Sequence, residues 1–497
     1  MSIPAAQHAT AALLGRLAGR GPIETHISAV FVGADTVFKL RKAVRLSFVD
    51  FTPLAERERT ARRELELNAP AAPGLYRDVV PVTRAADGTV ALGGAGEAID
   101  WVVRMGRVAD GDFLDEVAAR GELPATLLDA LGDGVAALHA ANPVVARDQA
   151  CALRAVALGN SRAALDAGLD PPTVRRWLEG MLALLVRHGD WLRARGRVGA
   201  GAGGGFVRRA HGDLHLGNLC LWQGRPVAFD ALEFDEDLAT IDVGYDLAFL
   251  LMDLDVRAGR AAANRVLNRY LARTGDWAMV TGLKLFLSMR AMVRAHVEAA
   301  KLKPAESQQY LAQALAYQQP ASACVVAVGG LPGTGKSTLA RALAPGLGAA
   351  PGAVILRSDE IRKRQHGVAP EQKLPPEAYS AAASQAVFDE MFAAAGRIAA
   401  AGHAVVADAT FLEPAHRAAI EAAAGGVPFL GAWLQAPLAE LERRVAARRG
   451  DASDAGIEVL RQAVAADHGA GTWLAVDARH AGEALAAVRA TLAARMC

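Results

Sequence analysis

The amino-acid sequence predicts an α+β fold of two lobes followed by an α/β domain built around a parallel sheet. Three observations carry that expectation. Residues 22 to about 105 hold short β-branched and aromatic runs (ISAVFV, TVFKL, DVVPV, DWVVRM) around one helical stretch, residues 52–68. That is the texture of a small, mostly antiparallel sheet with a helix packed on it. Residues 110 to about 318 place apolar side chains at three- and four-residue spacing, as in LLDALGDGVAALHA, and read as helical. From Ala321 onward, strand-like CVVAV, AVILR, AVVAD and PFLGAWL alternate with alanine-rich helical runs, the pattern of βαβ units. The expected boundaries are 1–108 for the small lobe, 109–318 for the helical lobe and 319–497 for the parallel-sheet domain, with a polar helix and linker ahead of Ala321.

Composition narrows the function classes. The chain has 497 residues, with 54 Lys+Arg against 53 Asp+Glu, 52% hydrophobic and 22% charged residues. Such a chain buries a large core, which excludes disorder and collagen-like repeats. The even charge balance argues against a surface built to grip nucleic acid. Cys151, Cys220, Cys324 and Cys497 lie far apart without a C-x-x-C pair, which offers neither a zinc site nor a disulfide framework. The opening MSIPAAQHATAALL lacks a basic start followed by an apolar run, and LAFLLM is far short of a membrane span. The expectation is a cytoplasmic protein with no membrane partner.

CVVAVGGLPGTGKSTLARAL contains G-x-x-x-x-G-K-S as Gly330, Gly335, Lys336 and Ser337, with Gly333, Thr334 and Thr338 in the same turn. Glycines let backbone N–H groups curl around phosphate oxygens, and the following helix adds the positive end of its dipole. Lys336 then reaches the β- and γ-phosphates, and the Ser337 hydroxyl ligates Mg²⁺. Asp359, at the end of the next strand, faces the ligand crevice of such a sheet, where it can accept a proton from a hydroxyl. A helix N-cap is its other reading. Arg362 and Lys363 are placed to neutralise transferred or acceptor phosphate. Asp408 ends AVVAD and is expected either to hold Mg²⁺ or orient the acceptor, or to close a turn. Arg444 and Arg448, four apart, read as lid arginines over the transferring phosphoryl group, or as a solvated helix face.

The motifs GLPGTGKST, SDEIRK, VVADATF and RRVAARRGDASDA resemble the small P-loop kinases related to zeta toxins, polynucleotide kinase and chloramphenicol phosphotransferase. The resemblance implies ATP-dependent phosphorylation of a hydroxyl, with Asp359 as base and Arg444 and Arg448 in the lid.

The second dense cluster is RRAHGDLHLGNLCLWQGRPVAFDALEFD, with His211, Asp213, Asn218 and Asp230. Its Asp-x-x-x-x-Asn spacing is that of a kinase catalytic loop, in which the Asp takes the hydroxyl proton and the Asn holds Mg²⁺. Asp230, beyond a short hairpin, offers a second oxygen ligand. His211 and His215 lack a third zinc ligand at sensible spacing. His211 reads as a structural hydrogen-bonder, and His215 either as that or as an acceptor-site residue.

This cluster resembles aminoglycoside phosphotransferases and their choline- and fructosamine-kinase relatives, which share the protein-kinase fold. The resemblance spans roughly residues 23–297 and makes Asp213 the base and Asn218 and Asp230 the Mg²⁺ ligands. It matches Lys39 to the nucleotide lysine and Glu64 to its helical partner, with Lys42 and Glu66 as near alternatives. Asp242 and Asp246 fit capping and bracing of the catalytic loop. The adenine is expected near Arg104–Arg107. No G-x-G-x-x-G precedes Lys39; Gly33-Ala34-Asp35 reads only as a hairpin tip. Asp235, Glu236 and Asp237 read equally as an acceptor-pocket edge and as a solvated acidic turn. With FVDF at 48–51 and HGDLHLGN, the whole chain resembles a bacterial fusion of an aminoglycoside-phosphotransferase-like part with a P-loop ATP-binding part. The expectation is two phosphotransferase modules, each using Mg-ATP on a small-molecule hydroxyl.

Overall fold

The alternating runs of the first hundred residues form an antiparallel sheet. Its six strands lie in the order Ile23–Glu24, Ser28–Val32, Thr36–Arg41, Glu97–Gly106, Tyr76–Arg84, Val90–Leu92. The computed structural model describes residues 2–46, 49–198, 204–448, 450–466 and 471–496. Phe48 of FVDF, the tip of the glycine-rich stretch and Arg449 lie outside them. Two-residue alternation sends Phe31, Phe38, Leu40 and Val102 to one face, against Leu13 and Leu14 of the helix His8–Ala18. Val103 and Tyr76 face the helix Leu54–Asn68 and Cys220 of the hairpin Leu219–Trp222/Arg225–Ala228. The sheet, that helix and the hairpin belong to one compact unit, residues 1–123, 138–145 and 206–246.

The second unit, residues 124–137, 146–205 and 247–497, is built on a five-stranded sheet. Its order is Val354–Arg357, Val405–Asp408, Val325–Gly330, Phe429–Gln435, Leu474–Asp477, with every pairing parallel. Val325–Gly330 is central and buried throughout, as a strand covered on both faces must be.

The helices after Asp246 belong to the same compact unit as the parallel sheet, and the first of them to lie wholly beyond that residue touches the outermost strand. On the helix Arg260–Thr274, Asn264 Nδ2 donates to Ala353 O (3.0 Å) and Asn268 Oδ1 accepts from Ile355 N (2.6 Å). Those amides occupy backbone groups that the outermost strand would leave unpaired. The helix expected ahead of Ala321 is present: Pro304–Ala316 buries Tyr310, Leu311 and Ala314 against the helix Leu283–Ala300. Ser307 Oγ donates to Ala295 O and Ser288 Oγ to Ala314 O (2.8 and 2.7 Å). Among the described residues, no helix is long and apolar enough to cross a membrane.

His403 sits at the base of this sheet, 2% exposed, its Nε2 donating to Gly352 O at 3.0 Å. Burial pushes its imidazole down to about 4, outweighing the Gly352 bond. The unfolded chain therefore takes up a proton near pH 6.5 that the folded chain refuses until about pH 4, so stability is full above that window and falls as pH drops through it. Urea titrations from pH 7 to 4 are expected to show a loss approaching about 3 kcal/mol from this group, and a smaller loss in His403→Gln.

Candidate active sites

The phosphate loop is shaped by left-handed glycines. Gly330, Gly333 and Gly335 have φ of 138°, 87° and 89°, between the central strand and the helix Lys336–Leu343. A Cβ on Gly330 would lie 2.6 Å from Leu434 O, and one on Gly333 2.8 Å from Leu441 O, so side chains are excluded at both. Buried Thr334 closes the turn by donating Oγ1 to Leu331 O (2.8 Å). Lys336 curls back over the loop, its Nζ donating to Gly330 O (2.9 Å) and Leu331 O (3.0 Å). Burial pushes its ammonium below the usual value, against the pull of Asp408 and Asp359.

The parallel register sets Asp408 beside Val328 and Arg357. There Ser337 Oγ donates to Asp408 Oδ2 at 2.5 Å. Gly333, Gly335, Lys336, Ser337 and Thr338 line a cavity of about 600 Å³. Asp359, Arg362, Asp408, Arg444 and Arg448 line the same cavity. An oxygen donor pair beside a glycine turn at a helix N-terminus fits a Mg²⁺–nucleotide polyphosphate.

Asp359 is no N-cap. The helix Ser358–Gln365 has Arg357 at that position without a side-chain cap, and Asp359 sits in the first turn. Burial raises the Asp359 carboxyl above its ordinary value; Asp408 adds to this, while Arg357 and Lys336 oppose it. Arg362 lines the cavity over the Tyr379 ring (4.7 Å) and donates to Ala378 O (2.6 Å). Lys363 departs from its expected place at a phosphate: it is 1% exposed, bound to Asp454 Oδ2 (2.6 Å) and to Gln372 O. Arg444 is held by Glu440 (2.7 Å) and by the carbonyls of Ala478 and Arg479 (both 3.0 Å).

Sequence reasoning missed the residue that organises this site. Arg357, 4% exposed, donates to Asp408 Oδ2 (3.1 Å), Glu360 Oε1 (2.7 Å) and Asp451 Oδ1 (3.1 Å). Its one sequence signal was a charged residue closing the apolar run AVIL. Asp451 and Asp454 lie in the motif RRVAARRGDASDA but drew no role of their own from it.

In the first unit, Lys39 and Glu64 meet at 2.6 Å, and Lys39 also holds Asp230 Oδ1 at 2.5 Å. Burial alone would lower the Lys39 ammonium, but Asp230 and Glu64 outweigh it and hold it above its ordinary value. The near alternatives are placed elsewhere: Lys42 is buried on Glu24 (2.6 Å) and Thr25 O (2.7 Å), and Glu66 is exposed beside Arg63 (2.9 Å). A missed cation, Arg41, bonds the second Glu64 oxygen (2.9 Å) and Glu233.

The 211–218 loop is held from beneath. Asp246, fully buried, accepts from His211 N (3.0 Å), Gly212 N (2.9 Å) and His139 Nε2 (3.1 Å). His211 Nε2 donates to Phe229 O (3.0 Å) and its Nδ1 accepts from Asp213 N (3.3 Å), which fixes a neutral structural imidazole; burial lowers its basicity. Asn218 Nδ2 donates to Asp213 Oδ2 at 2.9 Å, and His215 Nε2 lies 3.5 Å from that oxygen. Asp230 has φ 59°, and its N–H donates to Tyr76 Oη (3.0 Å). Among the described residues, the carboxylates close enough to share a hard cation here are Asp230, Glu64 and Glu233. Asp242 caps Gly244 N (2.8 Å) and Asp235 caps Leu238 N (2.9 Å), while Glu236 pairs with Arg63 (2.9 Å). Arg104 is paired with Asp78 and Arg107 with Asp110 (3.2 Å).

A family model described as AAA domain matches residues 325–466. Solved structures similar to the chain include the GDP complex of wild-type aminoglycoside 2'-phosphotransferase-IIIa. It has a TM-score of 0.38 and 15% identity, covering 63% of this chain and 99% of that one. A gluconokinase from Sinorhizobium meliloti 1021 has a TM-score of 0.26 and 21% identity, covering 36% and 97%. Among curated proteins, uncharacterized protein Rv2004c of Mycobacterium tuberculosis and Mb2027c of Mycobacterium bovis are each 31% identical over 455 residues, 88% of either chain. At that identity and coverage the chain belongs to the family of these mycobacterial proteins, with a P-loop AAA domain at residues 325–466.

Proposed function

We propose that the protein is an ATP-dependent phosphotransferase with two kinase modules, each phosphorylating a hydroxyl of a small molecule. The single observation that carries this reading is the cavity that gathers Lys336, Ser337, Asp408, Asp359 and Arg448. In the P-loop module, the loop amides and Lys336 hold the β- and γ-phosphates. Asp359 takes the proton of the acceptor hydroxyl as its oxygen attacks the γ-phosphorus. The bond from that phosphorus to the bridging oxygen breaks, and ADP leaves. Arg448 faces the charge on the transferring group, and Arg362 orients the acceptor. In the other module Lys39, paired with Glu64, takes the phosphates, and Asp213 is the base. Ser337 with Asp408, and Asn218 with Asp230, would hold Mg²⁺, which would neutralise phosphate charge. Functionally the chain divides into 1–108, 109–318 and 319–497.

A second reading makes the first module a nucleotide or ligand sensor that gates the P-loop module. It is favoured by Lys39 already holding Asp230, and by the lack of a G-x-G-x-x-G ahead of Lys39. Incubating a metabolite library with γ-labelled ATP and wild type, Asp213→Ala and Asp359→Ala separates the readings. Distinct labelled products lost in each variant are expected. Loss in neither variant overturns the dual-kinase reading, and label on oligonucleotide ends instead overturns the small-molecule acceptor.

A further inference from the structure

The segment after the helix Leu438–Ala447 carries Arg448 and then two aspartates, Asp451 and Asp454. Both aspartates are tied down. Asp451 Oδ1 accepts from Arg357 Nη2 (3.1 Å) and from Ser453 N (2.9 Å). Ser453 in turn offers its carbonyl to Arg448 Nη1 (3.4 Å). Asp454 Oδ2 accepts from Lys363 Nζ (2.6 Å), Tyr379 Oη (2.5 Å) and Leu374 N (3.0 Å). A continuous path of hydrogen bonds therefore runs from buried Arg357, which also holds Asp408, through Asp451 and Ser453 to Arg448, which faces the cavity.

We propose that Asp451 is a positioning residue of the P-loop centre, ordering the turn through Ser453 so that Arg448 is set before the substrates arrive; the proposal rests on the P-loop kinase reading above. An arginine side chain loses much rotamer entropy when it is fixed, and donors already aimed at developing charge need no reorganisation during transfer. The anchor is shared. The cation that fixes Asp451 is the one that fixes Asp408, so the position of the arginine follows the position of the carboxylate beside Ser337. Burial alone would raise the Asp451 carboxyl, but Arg357 and the Ser453 amide outweigh it and keep it ionised.

The test needs no knowledge of the acceptor. Binding of MgADP, and of MgADP with aluminium fluoride as a mimic of the transferring phosphoryl group, is measured by calorimetry on the full chain. The component lost in Lys336→Ala identifies the P-loop site. Asp451→Asn is expected to leave MgADP affinity unchanged while cutting the extra tightness conferred by aluminium fluoride roughly 10- to 100-fold. Arg448→Ala should lose a similar factor, and the double variant should lose no more than Arg448→Ala alone, since one residue acts through the other. Retention of the full gain in Asp451→Asn, multiplication of the two losses, or no gain in the wild type overturns the proposal. So does parallel loss of MgADP affinity and melting temperature in Asp451→Asn, which marks a purely structural role. Absence of any Lys336-dependent nucleotide binding in the wild type is a different outcome and overturns the kinase reading itself.

Discussion

Asp359→Asn is expected to lower turnover by the P-loop module about 10²- to 10⁴-fold, the range for loss of a general base. Nucleotide affinity should change little, because phosphate is held by the loop amides and Lys336. The wild-type rate should fall as pH drops, with the acidic limb above the ordinary aspartate value, because burial and Asp408 raise this carboxyl. The stability effect has the opposite sign. A carboxyl whose folded value is raised favours folding fully below its unfolded value and loses that contribution as pH rises through the folded one. At neutral pH, Asp359→Asn should therefore unfold at a urea concentration no lower than wild type. A loss of activity paired with a loss of stability would instead place Asp359 in the scaffold. Steady-state kinetics between pH 5 and 8 with parallel urea titrations measure both.

Asp246→Ala is expected to destabilise the first unit by about 3–5 kcal/mol, the cost of breaking a buried charged network. Asp246 is 0% exposed and bonds two consecutive backbone amides, at His211 and Gly212, together with the His139 ring. Removing its carboxylate leaves buried donors without these bonds, each costing about 1–3 kcal/mol. Asp213 follows directly on Gly212, so the first module should also lose turnover and nucleotide-dependent protection of the loop, although Asp246 faces no substrate. Hydrogen exchange at residues 211–218 reads the loop directly. Unchanged protection there in Asp246→Ala would show that the loop is ordered without its brace.

Motif residues were legible because their spacing is dictated by chemistry within one short segment. Gly330 to Thr338 must wrap one polyphosphate, and Asp213 and Asn218 must face one another across a single turn, where they meet at 2.9 Å. Lys39 and Glu64 were legible in a weaker way. Eight lysines in the chain left few candidates, but only the register Lys39↔Val103 and the burial of Lys42 separate that pair from its neighbours. Lys363 misled because a charge beside Arg362 looks exposed in a helical repeat, whereas the turn carrying Asp454 folds over it.

By itself the sequence determined the two domain types, the glycine loop, the Asp-x-x-x-x-Asn cluster and the strand ends that carry Asp359 and Asp408. Each follows from local periodicity or from the reach of one ligand, and such constraints are written within a few residues. Tertiary structure alone decided that Arg357 holds Asp408 and Asp451 together across 94 positions of chain. It alone placed Asp246, 34 residues on, beneath the Gly212 amide, and tied the helix Arg260–Thr274 to the outermost strand of the parallel sheet. The physical reason is burial. A charge or amide excluded from water must find its partner wherever the fold brings one, and no spacing rule in the sequence records that meeting.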